Sequence, residues 1–290
     1  MIISKIETFA LRIPFKLGTR AAASAWGDKG LPAADSLLVK VTTDQGLEGW
    51  GETFGFRAVP SAKLAIDELI APLCIGHDAT QIRSVMTEVQ KKLHVFGRSG
   101  ALFFGISAID IALWDIAGKA AGAPVCRLLG GAGKAELTCY ASLIRYSDPS
   151  LVRANVRRAI DSGFRCLKLH EIELSAIRAA RNEAGPEIEL RLDVNCPWTL
   201  TEARAKAEEL KEIQLKWLEE PIWPPENYDA LGSADAMVEW RYFDLEAQLY
   251  GGLISPLNGQ VKVPQGPGLG FDPDPIIIRD YLWVDTGPSK

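Results

Sequence analysis

The sequence predicts two kinds of structure in succession: an antiparallel α+β first third, followed by α/β structure on a parallel sheet. Three observations predict it. Residues 2–52 hold three alternating strand-like runs, helical spacing takes over from about residue 61, and from residue 135 strand-like runs alternate with helices. The later runs begin near Leu137, Cys166, Glu189 and Leu215, at spacings of 29, 23 and 26 residues. Strand-then-helix repetition at that period argues for a parallel sheet, either barrel or doubly wound.

In chain order, Ile2 to about Leu11 alternates like a half-buried strand, as do Ser36–Thr43 and Leu47–Glu52, with Asp44-Gln-Gly46 as the hairpin turn between the last two. Residues 17–34 (LGTRAAASAWGDKGLPAA) are small, Gly-bearing and aperiodic, which predicts a long loop. Ile106, Ile109, Leu113, Trp114 and Ala117 mark one apolar helix face, stopped by Gly122 and Pro124. Further helices are expected at Leu151–Asp161, closed by Gly163; at Ser175–Ala184, closed by Gly185-Pro186; and at Glu202–Ile213. Thr199 stands three residues before Glu202, the spacing of a capping box.

After Pro221 this rhythm fails. Residues 251–275 are too rich in Gly and Pro for regular β/α units. Four more units at the observed period would need about 104 residues, and an eight-stranded barrel requires them. The 59 residues from Gly232 to Lys290 cannot supply them, so the sequence encodes at most half of such a barrel.

Composition narrows the function classes. The chain has 290 residues, 47% hydrophobic and 24% charged, with a formal net charge of −5. That is the composition of a globular protein with a real core, of one large domain or two ordinary ones. A mild acid excess without a basic, aromatic-bearing patch argues against nucleic-acid binding. No uninterrupted apolar run approaches the roughly 20 residues of a membrane span, and the first residues do not form a signal peptide. Five cysteines (Cys74, Cys126, Cys139, Cys166, Cys196) without a CxxC pair are expected as buried reduced thiols of a cytoplasmic protein. Two glycine-rich runs are structural: Gly130–Lys134 lacks the spacing and hydroxyl of a phosphate loop, and no helix follows Gly266–Gly270.

The chemistry-bearing residues gather at the ends of three consecutive β-runs. Lys168 and His170 in Cys166-Leu-Lys-Leu-His are two apart and share a strand face, as do Asp193 and Asn195 in Arg191-Leu-Asp-Val-Asn; Glu219 precedes Glu220-Pro221. In β/α architectures the C-terminal strand ends carry the chemistry. Two carboxylates with an amide nearby suit a hard cation such as Mg2+, and an amine beside an imidazole suits proton transfer. On pattern alone, ordinary polar residues at exposed strand ends are an equal alternative.

The order Lys-x-His, Asp-Val-Asn, Glu-Glu-Pro resembles the enolase superfamily in its mandelate racemase and muconate-lactonizing branch. Ser107–Lys119 followed by Pro124 and Leu128-Leu-Gly-Gly131 is similar to that family's signature before its barrel, as is Gly49-Trp-Gly-Glu52 in the N-terminal sheet. The resemblance covers residues 1–231 and resumes from Ala234 to about Tyr281. It implies an α+β capping domain (1–125), the first half of a modified TIM-like (β/α) barrel (126–231), and a C-terminal segment (232–290) returning to the cap. It also implies Mg2+ held by Asp193 and Glu219, with Glu220 positional, and Lys168 as acid/base in abstraction of the proton α to a carboxylate. The amine must be partly neutral for that, which a nearby cation and partial burial favour. His170 is a second base, an orienter of substrate oxygen, or a packing residue. Asn195, with Trp26 in loop 17–34 and Phe54 in Thr53–Phe56, would face substrate; the alternative for both aromatics is packing on their own domain.

The sequence departs from the family pattern in having His170 where many members have a second lysine, and in lacking the third metal carboxylate and the later acid/base groups. No histidine follows residue 170. The text of the fourth strand's loop runs into C-terminal text near Leu231-Gly232-Ser233, a deficit of three or four β/α units, and Asp235, Glu239 and Asp244 beyond it belong to the C-terminal segment. The expected activity is Mg2+-dependent dehydration of an acid sugar or other small hydroxy acid, with racemisation, epimerisation or cycloisomerisation as the alternative. A homo-oligomer is implied. A non-catalytic remnant is the reading from another class, and a longer parent chain is the third.

Overall fold

The computed structural model describes residues 1–15, 33–131, 136–225, 238–241, 245–251 and 255–283. Strands β1 (Ile3–Pro14), β2 (Ala33–Thr43) and β3 (Glu48–Thr53) form an antiparallel sheet in that order. Its register runs from Ile3 opposite Thr43 to Pro14 opposite Ala33, and Gly46, at φ 77°, turns the hairpin into β3. Ala33 and Ala34 therefore belong to a strand and not to the loop expected over 17–34.

Alternation along β2 splits its apolar side chains between two cores. Leu37, Val39 and Val41 face the helices, whereas Leu38, with Leu11 and Ile13, packs against Leu249, Tyr250 and Ile277 of the C-terminal segment. On the helix side lie α1 (Val59–Ala65), a π turn (Ile66–Ile70), α2 (Ala71–Cys74), α3 (Ile82–Leu93) and α4 (Gly100–Ala121). Helix α4 is long and apolar enough to cross a membrane by length and composition. Its contacts explain that composition: it lies on β3 with ten residues buried, closed by Gly122 in the left-handed region. The approach is close, since a Cβ on Gly49 or Gly51 would meet the carbonyl oxygens of Ala112 or Ala108 at 2.2 and 1.9 Å.

Asp115, fully buried in α4, ties three parts of the chain together. It accepts from the Trp50 N–H at 2.9 Å and the Leu269 N–H at 2.8 Å, and pairs with Lys119 at 2.9 Å. Lys119 reaches Asp272 at 2.6 Å. A buried carboxylate is tolerable only when its oxygens are satisfied in this way.

Past the short helix α5 (Val125–Leu128), the β/α alternation begins: β4 (Glu136–Ser142), α6 (Pro149–Asp161), β5 (Cys166–Leu169), α7 (Leu174–Ala184), β6 (Glu189–Asp193), α8 (Leu200–Leu210) and β7 (Leu218–Glu219). Local chemistry sets the helix ends. Asp148 caps α6 through Ser150 and Leu151 N–H, and the capping box of Thr199 and Glu202 is formed at α8. The strand expected to begin at Leu215 ladders onto β6 from its second residue: Lys216 N–H donates to the Leu190 carbonyl at 2.8 Å and the Trp217 carbonyl accepts from Leu192 N–H at 3.2 Å, ahead of the regular pairs at Leu218 and Glu219.

These strands are parallel in the order β7-β6-β5-β4, and β8 (Val238–Arg241) joins the far side of β4, also parallel. A short β9 (Gln260–Lys262) pairs antiparallel with the start of β4, and α9 (Pro275–Asp280) packs on the outer face of the N-terminal sheet. Among the described residues β7 and β8 end the parallel sheet and no barrel closes. The second core lies between this sheet and α6–α8, around Leu167, Leu169, Leu190, Leu192, Val156 and Ile177. Leu231–Ser233, Asp235 and Asp244 lie outside the described residues.

Candidate active site

Parallel registry delivers the polar residues to one place. Ser142 pairs with Lys168 across β4 and β5, and Asp193 with Glu219 across β6 and β7, so consecutive C-terminal strand ends line up. Lys168, only 3% exposed, puts Nζ 3.3 Å from Asp193 Oδ2 and 3.5 Å from Glu219 Oε1. His170, just past β5, places Nε2 3.4 Å from the same Asp193 Oδ2. Its Nδ1 lies 2.6 Å from the Leu143 carbonyl oxygen. A carbonyl only accepts, so Nδ1 carries hydrogen and Nε2 is left to exchange a proton.

The chain turns sharply where β6 ends, with Asn195 at φ 57° and Cys196 at φ 56°. That turn folds Asn195 back on Asp193, whose Oδ1 accepts from the Asn195 backbone N–H at 3.0 Å and from Nδ2 at 2.9 Å. Glu220, also left-handed at φ 48°, lies 3.5 Å from Asn195 Nδ2 and its carbonyl accepts from Cys196 N–H at 2.7 Å. Trp217 Nε1 donates to Glu219 Oε2 at 3.1 Å. Burial presses the Asp193 carboxyl towards its neutral form. The His170 hydrogen bond and charge, the Lys168 charge and the Asn195 N–H outweigh this and hold it below the usual carboxylate range.

The structure thus brings Lys168, His170, Asp193, Glu219 and Asn195 together. Phe54 packs within the first layer, on Phe56 at 5.5 Å and Phe104 at 5.0 Å between ring centroids. Trp26 lies outside the described residues.

Two residues escaped the sequence reading. Arg145, three residues beyond β4, donates to the His170 carbonyl at 2.6 Å, the Val194 carbonyl at 3.2 Å and Asn195 Oδ1 at 3.3 Å, lacing three strand ends together. Glu171, 2% exposed, accepts from Tyr146 N–H at 2.7 Å and Ser147 N–H at 3.0 Å. Burial raises the Glu171 carboxyl against those donors and the Arg145 charge. No spacing marks Arg145; the Glu171 side chain follows directly on His170 and had only its neighbour as a signal. On β6, directly opposite Lys168, Arg191 is stacked between the rings of Tyr140 (4.9 Å) and Trp217 (4.1 Å) and paired with Glu189.

The expectation of uniformly buried thiols needs correction. All five cysteines are free, but only Cys74 and Cys139 are buried, and Cys126, Cys166 and Cys196 are half-buried because each lies at an element end or turn.

As to a metal, no group of three His, Cys, Asp or Glu side chains among the described residues is arranged to hold an ion by itself. Two carboxylates nevertheless face one shared cation position, marked by Lys168 Nζ. Mg2+ is held by one or two carboxylates plus water and substrate oxygens in many sites, so the donor set fits it.

Comparison with known proteins gives a consistent family. Residues 29–130 match the family model "Mandelate racemase / muconate lactonizing enzyme, N-terminal domain", and residues 151–238 match "Enolase C-terminal domain-like". The chain is 34% identical over 209 residues to the D-galactarolactone cycloisomerase of Agrobacterium fabrum, covering 67% of this chain and 53% of that protein. It is 28% identical over 269 residues to the arabinonate dehydratase of Saccharolobus solfataricus, covering 89% and 67%. With the 3,6-anhydro-alpha-L-galactonate cycloisomerase of Streptomyces coelicolor it shares 30% identity, covering 80% and 64%. The chain thus spans between about half and two thirds of these relatives' lengths. Among solved structures, the fold is similar to a racemase from Streptomyces coelicolor with bound magnesium (TM-score 0.81, 21% identity, 97% of this chain and 100% of that one). It is also similar to a member of the enolase superfamily from Agrobacterium tumefaciens (TM-score 0.80, 20% identity, 96% and 98%).

Proposed function

The chain belongs to the mandelate racemase and muconate-lactonizing branch of the enolase superfamily, and from that premise we propose that it abstracts the proton α to the carboxylate of a small acid sugar with the help of Mg2+. The observation that carries this is the convergence of Lys168 Nζ and His170 Nε2 on Asp193 Oδ2 at the end of β5 and β6, with Glu219 alongside. Asp193 and Glu219 would hold the ion, whose charge offsets the negative charge that develops as the α-proton is lost.

The chain's own residues would do the rest. Lys168, as a neutral amine, takes the α-proton. In dehydration, the preferred outcome, the β-hydroxyl leaves as water with a proton from His170 Nε2, the nitrogen that the Leu143 carbonyl leaves free. The enol product then tautomerises to a 2-keto-3-deoxy acid. Asn195 orients substrate oxygen beside Asp193, and Trp26 and Phe54 are the cap's contributions to specificity.

Cycloisomerisation is the second outcome, favoured by the names of two of the relatives above. The division at 1–125, 126–231 and 232–290 is part of the same reading, as are a cytoplasmic location and homo-oligomers. So is a deficit of three or four β/α units near residues 231–233, supported by the chain's 53% to 67% span of its relatives and by β8 lying beside β4.

The test is incubation with MgCl2 and a panel of aldonic and aldaric acids in D2O, read by proton NMR at C2 and by mass spectrometry for loss of water. Exchange or dehydration of a panel member is expected. If no acid exchanges or is consumed, the non-catalytic remnant is the correct reading.

A further inference from the structure

We propose that Lys168 is the resident cation of this site, and that a divalent ion enters only by displacing its ammonium from between Asp193 and Glu219. This rests on the Mg2+ reading above and deepens it. All four carboxylate oxygens already face protein donors. Asp193 Oδ1 takes Asn195 N–H and Nδ2; Asp193 Oδ2 faces Lys168 Nζ and His170 Nε2. Glu219 Oε1 faces Lys168 Nζ, and Oε2 takes Trp217 Nε1.

These donors differ in how far they can yield. The Asn195 N–H is backbone, and its amide is held in turn by Arg145 and Glu220. The His170 ring is pinned by the Leu143 carbonyl, and the Trp217 indole is packed on Arg191 and Tyr140. Lys168 alone among them is a point charge on a flexible four-carbon stem. It is also the one donor facing both carboxylates, and so it stands where a cation gains most from the pair. An ammonium and a divalent ion within a few ångströms repel strongly in a buried setting. Affinity for the ion is therefore set by competition with the chain's own amine, whose charge offsets the repulsion between the paired carboxylates when no ion is bound.

Calorimetric titration of MgCl2 into the intact chain and into Lys168→Met and Lys168→Gln variants tests this. The variants are expected to bind Mg2+ at least about tenfold more tightly than the unaltered chain, because the repelling charge is gone. Equal or weaker binding by the variants overturns the competition and leaves the Mg2+ reading standing; absence of binding in all three overturns both. A second measurement needs no variant and covers failure of the substitutions to fold. Reductive methylation of the unaltered chain, mapped by mass spectrometry, is expected to modify Lys168 slowly without MgCl2 and faster with it. Protection unchanged at saturating MgCl2 overturns the proposal.

Discussion

At the scale of residues, two groups of side chains make separable predictions. Lys168 sits within 3.5 Å of both site carboxylates and is the proposed base. General acid–base groups contribute about 10²- to 10⁴-fold, so Lys168→Ala should cut deuterium exchange at C2 of a responsive acid by that factor. Exchange at the unaltered rate would remove Lys168 from the base role. The buried thiols concern stability. Burial pushes Cys74 up to about 12 and Cys139 up to about 11, from 9.0. A raised folded-state value favours the protonated thiol in the native state. This contribution is complete below the unfolded value near 9.0 and is lost as pH climbs towards 11 and 12. Urea midpoints should therefore fall between pH 9 and 11, and Cys74→Ala should flatten part of that slope; a slope unchanged in Cys74→Ala would refute the assignment. Arg145 shows why part of the site was illegible. Its partners are two carbonyls and one amide oxygen from segments 25 and 49–50 residues away, a relation that exists only once three strands are in register.

At the scale of elements, legibility follows how local the cause is. The α8 capping box, the Gly122 and Gly185 helix stops and the hairpin at Gly46 each depend on a few neighbouring residues, and the sequence displays them. The start of the fourth β/α strand was legible in its apolar run, since hydrogen bonding to β6 begins at Lys216, but the run shows a capacity for burial and not which neighbour it pairs with. The β3–α4 contact lies between these cases. Gly49 and Gly51 were visible in the Gly-Trp-Gly-Glu motif, but their reason is the helix pressed against them. A methyl group at residue 51 would stand 1.9 Å from the Ala108 carbonyl oxygen, with backbone on both sides. Overpacking of this kind costs about 1–3 kcal/mol or more, so Gly51→Ala should lower the denaturation midpoint while leaving the denaturant slope unchanged. A midpoint equal to that of the unaltered chain would mean that α4 moves away without cost.

At the scale of the whole molecule, the question is what becomes of the ends of the parallel sheet. The capping sheet is buried on both faces, by α1–α4 on one side and by Leu249, Tyr250 and Ile277 on the other, and Tyr250 donates to Glu52 at 2.5 Å across that junction. The parallel sheet is different, because among the described residues it ends at β7 on one side and β8 on the other. Unpaired strand edges recruit further strands, and among the described residues the outer edge of β7 carries no partner strand and adjoins the site through Glu219. A second copy is the partner always present at matching concentration, and edge pairing between identical chains is the simplest way to satisfy both. Native mass spectrometry and size-exclusion chromatography should accordingly find a multiple of the 31.6 kDa chain mass, with the site carboxylates closer to complete coordination in the assembly than in one chain. Dilution into monomers should then weaken Mg2+ binding along with assembly. A stable monomer of 31.6 kDa that binds Mg2+ with unchanged affinity at every concentration would show that the edges are covered within the chain and that the second copy has no part in the site.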